Sequence, residues 1–196
     1  MDKLIQTLIS GLSLGSIYAL IALGYTMVYG IAKMLNFAHG DIIMVGAYAV
    51  ITAVFTMGLP PFIAILISIA LCALLGIVIE FLAYRPLRQA QPLAVLITAI
   101  GVSYLLQNLA LLIYGSEQKA FPTIVALPTV HIGGVYIDGI TLATLVVTAV
   151  IMVALSLFIN KTRMGKAMRA VSEDKEAAEL MGISVNRTIT VTFAIG

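Results

Sequence analysis

One uncharged stretch decides the fold, and it reads LIQTLISGLSLGSIYALIALGYTMVYGIA from Leu4 to Ala32. A helix needs about 20 consecutive apolar residues to cross the hydrocarbon core of a bilayer. This run is longer than that, and it contains no Asp, Glu, Lys or Arg. A cleavable signal peptide would have a basic start and a much shorter apolar core. Because the chain opens with Met1-Asp2-Lys3, we interpret the run as a first membrane span.

The rest of the chain repeats this composition. Hydrophobic residues make up 61% of the 196 residues and charged residues 10%, whereas an average soluble domain is about half apolar and about a quarter charged. The uncharged runs predict four further spans and the start of a sixth run at residue 189. The four spans cover about residues 42–57, 62–84, 93–114 and 140–159. The second run is short, so the sequence leaves open whether it spans the membrane or is partly re-entrant.

These runs predict an all-α fold, a polytopic transmembrane helix bundle in a single domain over residues 1–196. A short outer β-hairpin is expected in the connection 115–139, where apolar and polar residues alternate around Gly133-Gly134. The sixth run has only eight residues, too few to cross a bilayer. We therefore expect the chain to be truncated at its C-terminus.

Lysine and arginine predict the orientation. Nine basic residues fall in connections on one side of the predicted bundle, and only Lys3 and Lys119 fall on the other. Cytoplasmic loops carry an excess of basic residues, so the nine are expected inside and the N-terminus outside. The nine are Lys33, Arg85, Arg88, Lys161, Arg163, Lys166, Arg169, Lys175 and Arg187.

A charged segment at residues 160–188 stands out against the apolar spans, since ten of the twenty charged residues lie in it. Ser172 could cap a short helix over Glu173–Met181, and Gly182 could end it. A Lys175–Glu179 pair one turn apart would stabilise that helix. The sequence alone also allows a solvated cytoplasmic loop here.

A second polar segment, Lys33–Tyr48, places Asn36, His39, Gly40 and Asp41 between two apolar runs. A carboxylate at the centre of a span costs about 2.5–3.5 kcal/mol on insertion scales. Asp41 is therefore expected at a membrane boundary, in a helix break or beside a polar cavity. Either it stabilises the start of the second helix, or the segment lines a translocation pathway.

Two motifs carry a resemblance to a known family. The sequence EAAELMG, Glu176 to Gly182, resembles the EAA loop of bacterial ABC-importer permeases. The sequence LNFAHGDIIMVGAY, Leu35 to Tyr48, resembles a segment of permeases in the branched-chain amino acid importer class, the LivH type. The opening span and AYRPLR, Ala83 to Arg88, are also similar to that class. The wider EAA pattern continues to a Leu-Pro that is missing here.

The resemblance implies a permease subunit of an ATP-driven importer in the bacterial cytoplasmic (inner) membrane, translocating branched-chain or related amino acids. Its implied partners are two ABC ATPase subunits, a second permease subunit, an extracytoplasmic substrate-binding protein and membrane lipid. The coupling residues would be Glu176, Ala177, Ala178 and Gly182.

No catalytic residue, metal site, cofactor or nucleic acid is expected for this chain. The alternatives are a stand-alone secondary transporter or channel for a small polar solute, and an integral-membrane enzyme. A secondary transporter would be expected to carry ionisable residues in mid-span. Asp41 and Glu80 both lie near predicted span ends. An enzyme would be expected to cluster His, Asp or Glu at the membrane interface.

Overall fold

The computed structural model describes residues 2–117, 121, 127–132 and 135–196 and is almost entirely helical in these ranges. Five helices are long and apolar enough to cross a membrane. The α-helices are α1 (Asp2–Ala32), α2 (His39–Ile51), α3 (Pro61–Ile79), α4 (Pro92–Tyr114), α5 (Gly139–Lys161), α6 (Arg163–Glu173), α7 (Lys175–Leu180) and α8 (Val185–Ile195). The all-α prediction is confirmed.

Two of the long helices continue beyond their α-helical part. After α2 comes a π-helical turn, Thr52–Thr56, so the helical segment reaches 18 residues over His39–Thr56. After α3 comes a π-helical turn, Glu80–Tyr84, and then a 3₁₀ turn, Arg85–Leu87. The second apolar run is therefore helical over a length that can span a bilayer, which the sequence alone left open.

Proline marks where two of the long helices begin. Pro61 and Pro92 each occupy the first helical position. Proline suits that position because its missing N–H would have no partner within the helix and its fixed φ is already helical. Before α3 the chain reverses at Gly58, whose φ is +64°, a left-handed conformation that glycine adopts without steric cost.

The chain divides into two compact units. The first contains Met1–Gly24 and Thr123–Lys166, and so includes most of α1 and all of α5. In it, β1 (Val130–Ile132) and β2 (Val135–Ile137) pair antiparallel, with His131 opposite Tyr136. The predicted turn at Gly133-Gly134 lies outside the described residues.

The second unit contains Tyr25–Pro122 and Ala167–Gly196. Within it, α2 and α4 are joined by stacked tyrosines, Tyr48 and Tyr114, with ring centroids 4.1 Å apart. The Thr52 hydroxyl also lies 2.9 Å from the Tyr114 hydroxyl. A buried aromatic pair, Tyr84 and Phe193, joins the end of the third span to α8 at 5.2 Å.

The charged segment differs from its prediction in where its helices begin and end. The predicted helix Glu173–Met181 with a Ser172 cap is wrong, because α6 continues through Glu173 and a new helix, α7, begins at Lys175. Ser172 donates to the Arg169 carbonyl within α6. The break falls at Asp174, whose extended backbone (φ −150°, ψ 115°) interrupts the helical path.

Close backbone packing of α8 against α3 depends on Gly76. A Cβ built there would lie 2.4 Å from the Phe193 carbonyl oxygen, a backbone atom that cannot move aside. Gly76→Ala is therefore expected to lower the free energy of unfolding by about 1–3 kcal/mol, the usual cost of overpacking. Gly101→Ala is the matched control, because a Cβ on that helical glycine meets nothing within 4 Å. Thermal unfolding of the detergent-solubilised protein measures both, and equal midpoints for the two variants would contradict this packing.

Candidate functional site

The polar segment before α2 is folded inward. Asn36, His39 and Asp41 are all buried, and Gly40 is exposed. The Tyr84 hydroxyl donates to Asn36 Oδ1 at 3.1 Å, and the His39 ring lies edge-on to Tyr25 at 6.1 Å. Asn36, His39 and Asp41 are thus held in place by the surrounding helices.

Asp41 lies in the first turn of α2, which is one of the placements that the sequence left open. Its side chain contacts α4, where Ser103 donates to Oδ2 and Gln107 donates to Oδ1 at 3.0 Å. Gln107 also donates to the Ser103 hydroxyl at 3.1 Å. A carboxylate that is 8% exposed is therefore held by neutral donors. No basic side chain among the described residues forms an ion pair with it, so the site could attract a cationic group.

A second buried carboxylate, Glu80, has a different environment. It is 0% exposed and forms an ion pair with Arg88. Thr190 of α8 donates to its other carboxylate oxygen at 2.8 Å, and Arg88 donates onward to Asn186. The Arg88 guanidinium offsets the free-energy cost of burying the charged Glu80 carboxylate. This ion-pair cluster connects the end of the third span to α8, the helix that follows α7.

The short helix α7 is fixed at both ends. Asp174 accepts hydrogen bonds from the backbone amides of Glu176 and Ala177 at 2.9 and 3.0 Å. This is the N-capping geometry that satisfies amides otherwise left without partners at a helix start. At the other end, Gly182 has φ +82° and donates to the Glu179 carbonyl. The predicted role of Gly182 as a helix stop is confirmed.

Contacts on one side of α7 hold it against the rest of its unit. Ala178 is 4% exposed, and the Lys175 ammonium donates to the Ala32 carbonyl at the end of α1, 2.8 Å away. Lys175 thus contacts α1, and the predicted pairing with Glu179 is replaced by this bond. Such contacts matter because six helical residues would not be stable alone in water.

On the opposite side of α7, side chains are exposed in the described part of the chain. Leu180 is 88% exposed and Met181 83% exposed, and both glutamates of the motif, Glu176 and Glu179, are also exposed. Large apolar side chains at the tip of a rigid, capped helix are typical of a surface that contacts another protein. Of the four coupling residues predicted from sequence, Glu176, Ala177 and Gly182 are exposed and Ala178 is buried.

Sequence reasoning did not find several residues of these clusters. Ser103 and Gln107 are spaced i, i+4 on a mostly apolar span, a pattern that places both on one helix face and could have indicated the Asp41 contact. Glu80 and Arg88 are eight residues apart, and only the π-helical and 3₁₀ turns between them bring them together. No local sequence signal predicts those turns.

Comparison with known proteins identifies the family. The family model described as branched-chain amino acid transport system / permease component matches residues 7–196. The high-affinity branched-chain amino acid transport system permease protein BraD of Pseudomonas aeruginosa is 44% identical over 204 residues, covering 98% of this chain and 66% of BraD. The corresponding LivH of Escherichia coli K12 is 40% identical over 211 residues, with the same shares of each chain.

A more distant relative comes from an archaeon. The probable branched-chain amino acid transport permease protein LivH of Methanocaldococcus jannaschii is 28% identical over 182 residues, covering 88% of this chain and 56% of that protein. This chain thus spans 66% of the length of its more similar relatives, and no solved structure gives a significant match. With five helices long and apolar enough to cross a bilayer, it is a multi-pass membrane protein that belongs to the family of branched-chain amino acid transport system permease components.

Proposed function

We propose that this chain is the transmembrane permease subunit of an ATP-driven importer that carries branched-chain or related amino acids inward. Family membership is the observation that carries the proposal, because relatives 40–44% identical are named as permeases of that transport. The proposed complex contains two ATPase subunits, a second permease subunit and an extracytoplasmic substrate-binding protein. It would lie in the bacterial cytoplasmic membrane, and ATP hydrolysis would belong to the ATPase subunits.

In this complex α7 would be the coupling helix. A permease must receive mechanical work through a surface outside the bilayer, and that surface must be rigid to transmit movement. The Asp174 cap and the Lys175–Ala32 contact provide the rigidity. Glu176, Ala177 and the exposed Leu180 provide a surface on which an ATPase subunit could dock. Ala178 would contribute by packing α7 against the rest of its unit.

The buried segment Asn36–Asp41 would border the translocation pathway, with Asp41 as its charged group. An amino acid carries a protonated amino group, and Asp41 offers a carboxylate whose partners among the described residues are the neutral donors Ser103 and Gln107. Removing the carboxylate charge while keeping its shape would test this role without opening a cavity. His39 and Gly40 would shape the entrance to α2.

Asp41→Asn is expected to lower the initial rate of uptake by about tenfold, the effect of losing ~1.4 kcal/mol of charge attraction. Radiolabelled leucine uptake into vesicles containing the complete complex measures it, at matched levels of membrane-inserted protein. Asn108→Ala is the contrasting variant, because that exposed α4 side chain bonds its own helix at the Tyr104 carbonyl and its removal places no new charge in the span. Wild-type uptake by Asp41→Asn would remove Asp41 from the pathway.

The experiment that tests the function as a whole is reconstitution. The complete gene product, its candidate permease partner and its ATPases are placed in liposomes with the binding protein outside and ATP inside. Leucine accumulation that requires both ATP and the binding protein is the expected result. Accumulation that continues without any ATPase subunit would contradict the proposal and favour a stand-alone transporter.

A further inference from the structure

Three basic side chains from distant parts of the sequence meet at one cavity of about 430 Å³. Lys33 follows α1, Arg88 follows the third span, and Lys175 begins α7. We call this cavity, with its lining by Lys33, Arg88 and Lys175, the basic pocket. Like charges repel, so their convergence costs free energy unless an anion compensates it.

The three side chains of the basic pocket repel one another electrostatically. Partial burial lowers the pKa of the Lys175 ammonium, and repulsion from Arg88 and Lys33 lowers this pKa further. Within the described part of the chain, Glu80 is already paired with Arg88 on the side of the ion-pair cluster. The two lysines thus add positive charge that this carboxylate does not neutralise.

The guanidinium of Arg88 is held by residues that do not line the basic pocket. The Nε–H of Arg88 is buried and has no hydrogen-bond partner among the described residues, although the terminal nitrogens of the same guanidinium bind Glu80 and Asn186. Because this Nε is buried, an anion in the basic pocket would contact the guanidinium from its accessible side and would neutralise the neighbouring lysines.

The rest of the pocket wall is apolar and helps to define the ligand. Tyr29 of α1 and Val95 and Leu96 of α4 line it together with Leu35 and Leu87. Both helices are long and apolar enough to span a membrane, so the apolar wall is continuous with membrane-spanning surface. A free inorganic anion would gain nothing from such a wall, whereas a molecule with a phosphate and adjoining hydrocarbon would contact both parts.

We propose that the basic pocket binds the phosphate head group of an anionic phospholipid of the cytoplasmic leaflet. The head group would contact Arg88, Lys33 and Lys175, and the glycerol end of the acyl chains would lie against Val95 and Leu96. The positive-inside pattern places all three basic residues on the cytoplasmic side, where anionic lipids attract basic pockets between spans. This site is separate from the proposed docking surface of α7.

Lipid binding to the complete protein tests the proposal, using short-chain phosphatidylglycerol followed by native mass spectrometry. Lys33→Asn removes one charge and suits the left-handed backbone there, where φ is +59°. We expect it to weaken phosphatidylglycerol binding about fivefold, the effect of one basic residue near an anionic surface. Lys166→Asn is the control for charge, since Lys166 is an exposed basic residue of α6 that does not line the pocket.

Three further measurements distinguish a lipid head group from a free anion and from a protein partner. Phosphatidylcholine of the same chain length, which has no net charge, should bind more weakly than phosphatidylglycerol and should be insensitive to Lys33→Asn. Equal binding losses in the two lysine variants would overturn the proposal. Inorganic phosphate binding as tightly as phosphatidylglycerol would assign the pocket to a free anion, and phosphatidylglycerol binding to the separate chain but not to the assembled complex would assign it to a protein partner.

Discussion

Glu176→Arg is expected to lower ATP-driven uptake by at least about tenfold and to release the ATPase subunits. Glu176 is exposed on α7 and its side chain contributes nothing to the buried side of that helix. Reversing its charge therefore changes the proposed docking surface and leaves the packing at Ala178 intact. Opposed like charges across an interface cost several kcal/mol, and each ~1.4 kcal/mol is a factor of ten in affinity.

The fold of this variant should remain close to wild type. An arginine in the first turn of a helix costs only about 0.3–1 kcal/mol through the helix dipole. Leucine uptake into proteoliposomes and the thermal midpoint of the same preparation separate function from stability. Glu117→Arg, an exposed site in the predicted outer connection, is the matched charge reversal. Loss of uptake in both variants, or in neither, would contradict the assignment of α7 as the coupling element.

Arg88→Met is expected to destabilise the protein by about 3–5 kcal/mol, the usual result of leaving one member of a buried ion pair without its partner. Glu80 is fully buried, and Thr190 would then be its remaining hydrogen-bond donor. The thermal midpoint and the yield of monodisperse protein in detergent should both fall. Arg85→Met is the control, because that arginine is exposed and its contact among the described residues is a cation–π contact with Phe81, worth about 0.5–1 kcal/mol.

A double variant distinguishes an unpaired charge from a simple packing loss. Glu80→Leu combined with Arg88→Met removes both charges, and Thr190 keeps its bond to the Asn186 carbonyl. Replacing a buried ion pair by apolar groups is often neutral or stabilising, so the double variant should recover most of the lost stability. A double variant no more stable than Arg88→Met alone would show that electrostatic compensation is not what the pair contributes.

The sequence predicted the features that follow from composition and from the local backbone preferences of single residues. The long uncharged run from Leu4 to Ala32 corresponds to α1, and the spans predicted from about residues 62 and 93 begin one residue earlier, at Pro61 and Pro92. The glycine stop at Gly182 was also predictable, because a left-handed helix end favours glycine. Each of these signals is local, so no tertiary information was needed.

The features that the sequence did not predict depend on competition between neighbouring residues or on long-range packing. Ser172 and Asp174 are both good N-cap residues, and only the continuation of α6 through Glu173 decides in favour of Asp174. Lys175 has an acidic residue one turn away, yet it bonds the Ala32 carbonyl, 143 positions away in sequence. Contacts at that separation follow from the fold and leave no pattern in the local sequence.

Site-specific crosslinking tests the coupling role of α7 most directly. The chain has a single cysteine, Cys72, so a Cys72→Ala background permits one new cysteine at Leu180, which is 88% exposed. With the complete complex in native membranes, a short bifunctional crosslinker should join Leu180→Cys to an ATPase subunit, whereas Glu117→Cys should give no such product. An ATPase crosslink that is absent at position 180, or equally strong at position 117, would contradict the role of α7 as the coupling helix.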